Sequence, residues 1–186
     1  MHMTEYIEAS NRLVDLALFL KEHSIPVPEP QFTGTLGEWL TMHKLLDQGY
    51  EPVHESGQSD VDIILNDGTG VEVKSGQYDE KDRLWRFDNI QPEKFDYLAC
   101  VQFHGWSTDV SFYIFSPGDT DILPPRNRKA FTDPDRDSNT RLIRIYDELG
   151  SRLPDDHRTL NESLHEYREA WEKLPAPSEL VSREER

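Results

Sequence analysis

Four charged residues interrupt two apolar segments in the stretch "SDVDIILNDGTGVEVKSG", Ser59 to Gly76: Asp60, Asp62, Glu72 and Lys74. Charge is costly to bury, so these groups are either solvated or gathered for a purpose. Side chains alternate between the faces of a strand, which puts Asp60 and Asp62 on one face and Ile63 and Leu65 on the other. By the same rule Glu72 and Lys74 lie together, opposite Val71 and Val73. If "DVDIIL" and "GVEVKS" pair as a hairpin through "NDGTG", the three acids and the lysine converge near one end of a sheet.

Clustered carboxylates repel one another and persist as anions mainly when a cation compensates them. Oxygen ligands alone point to a hard ion, Mg²⁺ or Mn²⁺, which keeps several waters and favours phosphate-bearing substrates. Such an ion acidifies a bound water and stabilises charge on a phosphoryl oxygen. Lys74 is placed to hold or help deprotonate the attacking water, or to neutralise charge developing at phosphorus. The chemistry is hydrolysis of a phosphodiester.

Asp62, nine intervening residues and "EVK" at Glu72 to Lys74, preceded by Gly37 and Glu38 in a helical segment, resemble the PD-(D/E)xK nuclease superfamily. That superfamily includes restriction endonucleases and Holliday-junction resolvases. The likeness spans roughly Thr35 to Phe103. It implies an α/β fold with a mixed β-sheet flanked by helices, here followed by additional C-terminal helices. It further implies that Asp62 and Glu72 bind Mg²⁺ (or Mn²⁺), that Glu38 completes the metal-binding acids, and that Lys74 is the catalytic lysine. "SGQSDVDI" resembles the Ser-Gly approach of resolvase-like members, which sets Ser56 and Gly57 near the phosphate. Members often add a polar residue after the lysine, for which Gln77 and Gln91 are candidates. No Pro precedes the Asp, a departure from the common pattern. Both Asp60 and Asp62 share the face, and the apolar run Ile63 to Leu65 favours Asp62 as the ligand.

Further groups near the motif in sequence fit substrate contact. Ser75 adjoins Lys74. "RLWRF", with Arg83 and Arg86, and Lys94 offer cations and rings that can meet phosphate and stack on a base. Trp85 and Phe87 fit a core equally well.

The surrounding elements must position these residues. Ile7, Leu13, Leu16, Ala17 and Leu20 recur at helical spacing from Thr4 to about Glu22, and "SIPVPEP" stops that helix. A second helix is expected from Thr35, as its cap, to Gly49. Short extended segments follow: "YEPVHE", "DVDIIL", "GVEVKS", "FDYLACVQF" and "VSFYIFS". Beyond Ser116 the chain reads as a long loop rich in Pro, Asp and Arg, then as helices near Arg141 to Leu149 and Leu160 to Leu174. The organisation expected is an N-terminal helix and linker (1–30), a nuclease core (31–116) and a loop with a helical extension (117–186). The stripe Leu164, Tyr167, Trp171 and Leu174 suits either intramolecular core or the contact of a homodimer, in which two sites would cut two strands.

The 186 residues carry 36 acidic against 20 basic groups, a formal charge of −16. That charge opposes non-specific attraction to nucleic acid or anionic lipid, so a phosphate partner needs local cations or metal. The lone cysteine, Cys100, excludes an internal disulfide, and its apolar neighbours suit a buried, inert thiol. His43, His54 and His104 lack zinc-ligand spacing, and His54, just before the Ser-Gly approach, reads either as a structural or surface residue or as one that touches substrate. There is no Gly-rich phosphate loop and no Ser or Cys nucleophile set beside a His and an acid. No apolar run reaches the ~18 residues of a membrane span, and a cytoplasmic protein is expected. The function expected is a Mg²⁺-dependent endonuclease acting on DNA. An RNA endonuclease of the same fold, or a nucleic-acid-binding module without catalysis, are the alternatives.

Overall fold

Tyr6, Ser10, Val14 and Ala17 fall on one face of the segment Met3–Glu22, and that face is buried, making it an amphipathic helix, α1. The structure is a computed structural model that describes residues 3–55, 61–116, 118–119, 140–147 and 162–179. A second helix, α2, runs Glu29–Asp47. It begins well before Thr35 because Pro28 precedes it and Pro30 falls in its first turn, where a missing N–H removes no hydrogen bond. Gly49, at φ +87°, takes the left-handed turn that follows its end.

Seven strands follow: β1 Val53–His54, β2 Ile63–Ile64, β3 Gly70–Asp79, β4 Leu84–Ile90, β5 Tyr97–Phe103, β6 Val110–Phe115 and β7 Arg141–Tyr146. The hairpin expected between "DVDIIL" and "GVEVKS" is present, with Ile63 opposite Val71 and Ile64 opposite Gly70. β5 runs parallel to β3 from Val71–Tyr97 to Gln77–Phe103, and β6 returns antiparallel beside β5. The sheet is therefore mixed. β4 joins the opposite edge of β3 only at Tyr78 and Asp79, then pairs with β7.

Strand alternation divides the interior into two cores on opposite faces of this sheet. Val71, Val73, Ala99, Val101 and Ile114 pack with Leu36, Leu40 and Leu45 of α2. Leu98, Cys100, Tyr113 and Phe115 face the other way and are covered by Trp85, Phe87, Ile143 and Ile145 from β4 and β7. Cys100 is fully buried, and burial pushes its thiol well above the usual range, as suits an inert core residue.

The C-terminal part departs from the helical expectation. "RLIRIY" is strand β7, because Ile143 and Ile145 alternate at period two onto the second core and β4 offers them an edge. Residues 162–164 are helical, but the chain then continues as short turns, including 3₁₀ turns at His165–Tyr167 and Trp171–Lys173. A continuous helix is broken at Glu169, whose φ is +54° and whose N–H donates to Phe112 O while its carboxylate accepts from Phe112 N at 2.8 Å. The apolar stripe is internal: Leu164 and Tyr167 enter the core under β4 and β7, and Trp171 and Leu174 enter the core under the helices. It is thus not the contact of a homodimer. The loop expected beyond Ser116 lies almost wholly outside the described residues.

Candidate functional site

The site occupies a gap in one edge of β3. β2 covers that edge at Gly70 and Val71, β4 covers it at Tyr78 and Asp79, and among the described residues no strand pairs it between. Asp62, just before β2, directs its carboxylate into the gap and accepts the Val73 N–H at 2.7 Å, in place of the next rung of the ladder. The register that sets Ile63 opposite Val71 brings Asp62 level with Glu72.

Glu72 and Lys74 project from the same face of β3 and share a hydrogen bond between Lys74 Nζ and Glu72 Oε1. Both side chains are largely withdrawn from solvent. Burial raises the pKa of Glu72, the Lys74 ammonium opposes that shift, and the neighbouring Asp62 carboxylate adds to it. Two carboxylates and one ammonium therefore meet in a partly desolvated recess, where the Glu72 anion is costly unless a cation balances it.

Glu38 takes a different partner. It follows Gly37 on α2, and its Oε2 pairs with Nε2 of His54 at 2.7 Å. β1 sets His54 opposite Ile63, next to Asp62, and the Glu55 N–H donates to Asp62 O at 2.8 Å. His54 thus ties α2 to the strand pair that carries Asp62, a role its sequence context did not mark because no fixed spacing links it to Glu38. Among the described residues no three His, Cys, Asp or Glu side chains gather as metal ligands, so Glu38 does not join Asp62 and Glu72 in a three-acid cluster. Two carboxylates still suit Mg²⁺ or Mn²⁺, which fill their remaining positions with waters and substrate oxygens. The destabilised Glu72 anion beside Asp62 fits such a cation.

The remaining candidates separate clearly. Gln91 reaches the site: a cavity of about 250 Å³ is lined by Glu72, Lys74, Asn89, Gln91, Lys94 and Phe95. Ser75 does not. It points to the helical face of β3, where its Oγ is buried without a partner against Gly37. Gln77 lies on that same face, with its Nε2 buried and unbonded. Arg83 Nη2 binds Asp147 Oδ2 at 2.7 Å at the far end of β3, and the exposed side chain of Arg86 on β4 pairs with Asp82 at 3.5 Å. Ser56, Gly57 and Asp60 lie outside the described residues.

Comparison with solved structures adds a structural likeness. The chain is similar to a bacterial homing endonuclease, I-Ssp6803I, with a TM-score of 0.52 and 17% identity over 76% of this chain and 90% of that one. At this identity the likeness is one of fold, and it agrees with a mixed α/β sheet flanked by helices. No protein-family model matches the chain, and no curated protein matches it in sequence. Among the described residues no helix is long and apolar enough to cross a membrane.

Proposed function

We propose that the chain is a metal-dependent endonuclease of PD-(D/E)xK type that hydrolyses phosphodiester bonds in DNA. The observation that carries this reading is the meeting of Asp62, Glu72 and Lys74 in the gap on β3. The fold shared with a homing endonuclease supports it, as does the spacing from Asp62 to Glu72 and Lys74.

Asp62 and Glu72 would hold Mg²⁺ or Mn²⁺, which supplies an acidified water and charge stabilisation at phosphorus. Lys74 neutralises the charge that grows on a non-bridging phosphoryl oxygen, and its link to Glu72 fixes the ammonium where that oxygen would sit. Glu38, held by His54, positions α2 against the strands that carry the acids. The partly buried setting strengthens each of these charges relative to water. With a net charge of −16, affinity for DNA rests on these local groups rather than on the whole surface.

The test is cutting of supercoiled plasmid with Mg²⁺ and with Mn²⁺, at low and high salt, by the wild type and Lys74→Ala. Metal-dependent cutting by the wild type and its loss in the variant are expected. The same negligible cutting by both proteins under every condition sinks the catalytic reading and leaves a binding module. Competition between labelled DNA and RNA decides the substrate, and preferential RNA cutting would replace DNA in this proposal.

A further inference from the structure

The cavity beside Lys74 has walls that the phosphodiester chemistry alone does not require. Glu72 and Lys74 form one side, and the other is built from Asn89 near the end of β4 and from Gln91, Lys94 and Phe95 in the segment between β4 and β5. These walls combine one aromatic ring, two primary amides and a second ammonium. Each amide offers both a donor and an acceptor, the pattern that reads a base edge, and a ring face is what a base stacks on. At about 250 Å³ the space lies below the ~300–1,000 Å³ usual for drug-sized ligands, so it fits a single ring system with its attached phosphate.

The backbone aims these groups. The ladder between β4 and β7 loses register between Phe87 and Ile90, and within that irregularity Asn89 takes φ +59°. Such a bulge re-aims side chains beside a site, and Asn is among the few residues that accept the left-handed conformation. Lys94 closes the 3₁₀ turn Pro92–Lys94 immediately before Phe95, so the ammonium and the ring enter the cavity from adjacent positions.

We propose that this cavity is a nucleotide subsite: it receives the nucleotide next to the bond to be cut, with its base out of the helical stack and against Phe95. Asn89 and Gln91 meet the base edge, and Lys94 meets the phosphate on the side away from Lys74. This deepens the nuclease reading and rests on it for the word cut, but the subsite itself can be measured without cleavage. It names a substrate class: DNA in which one nucleotide is unpaired or easily unpaired. Extruding a paired base costs unstacking and unpairing, and a mismatched or bulged nucleotide avoids most of that cost.

Two end-labelled duplexes, identical except that one carries a single unpaired nucleotide, test the idea with Mg²⁺ present. The wild type should cut beside the unpaired nucleotide about tenfold or more faster than it cuts the paired duplex. Phe95→Ala should lose that preference and Phe95→Tyr should keep it, which separates loss of the ring from a folding defect. In a second arm, 2-aminopurine at the unpaired position is followed by fluorescence with Ca²⁺ in place of Mg²⁺. Binding to the wild type and Phe95→Tyr should change its emission, and binding to Phe95→Ala should not. Equal cutting of both duplexes by the wild type, or a preference and an emission change that survive in Phe95→Ala, overturns the subsite. An emission change that depends on Phe95 without cutting of either duplex upholds the subsite and defeats the hydrolytic reading.

Discussion

The carboxylate of Asp62 accepts the backbone N–H of Val73 at 2.7 Å, so one side chain both ends the β2–β3 ladder and stands beside Glu72. The two duties can be separated. Asp62→Ala removes an acceptor from a partly buried N–H and should lower stability by about 1–3 kcal/mol. Asp62→Asn keeps an oxygen for that N–H and should hold near wild-type stability, while losing Mg²⁺-dependent cutting because a neutral amide is a poor ligand for a hard cation. Denaturant unfolding and the plasmid assay read the two effects. An Asn variant as unstable as the Ala variant would show that the negative charge, and not the hydrogen bond, holds this end of the sheet.

In the proposed reading, a cation that relieves the Asp62–Glu72 repulsion would bind the folded chain and not the unfolded one. Mg²⁺ or Mn²⁺ should therefore raise the melting temperature, by an amount that corresponds to about 2.7 kcal/mol at roughly one hundred times the dissociation constant. Glu72→Gln removes one anionic ligand and should abolish most of that rise, with EDTA returning the wild type to its metal-free value. A melting curve indifferent to both ions would remove Asp62 and Glu72 as a metal site.

Gly37 is required by contact rather than by conformation. A Cβ added there would lie 1.9 Å from Ser75 Oγ and 3.2 Å from Ser75 Cβ, where α2 crosses β3. Gly37→Ala should destabilise the chain by about 1–3 kcal/mol through overpacking. Ser75→Ala removes a buried hydroxyl that has no partner, so alone it should be close to neutral, and in the double variant it should recover part of the loss. Strictly additive effects in a double-mutant cycle would mean that α2 shifts as a body instead of meeting Ser75.

The central part of the site was legible because strand alternation is a strong rule. It set Glu72 with Lys74, and a hairpin of "DVDIIL" and "GVEVKS" sufficed to bring Asp62 level with them. Ser75 illustrates the same rule from the other side: its odd position on β3 turns it to the helices, away from the acids that sequence adjacency had grouped it with. Partnership across the fold was not legible. His54 could not be matched to Glu38, nor Arg83 to Asp147, because those contacts join segments far apart in the chain. Helix–strand competition decided the C-terminal part, where Leu142, Ile145 and Tyr146 fit the helical period, Ile143 and Ile145 fit the strand period, and β4 offered an edge. The start of α2 misled for a local reason: prolines that end one helix can also sit in the first turn of the next.

Asp119 gives a pH signature remote from the site. Burial alone would raise its pKa, but hydrogen bonds from the Ser116 hydroxyl and amide and from the Lys173 ammonium outweigh burial and hold it below the usual aspartate range. Lys173 also lies over the Tyr167 ring, 4.6 Å from its centroid, so the pair clasps the end of β6 to the C-terminal turns. A carboxylate whose folded pKa is depressed contributes stability above its unfolded value and loses it as pH falls through the folded one. Asp119→Asn should therefore melt about 2–4 °C below the wild type at pH 7, corresponding to about 1 kcal/mol for a chain of this size. As the pH is lowered past the usual aspartate value the wild type should lose stability that the variant does not, and the two melting curves should converge. A difference that stays constant down to strongly acidic pH would show that Asp119 contributes through the shape of the turn and not through its charge.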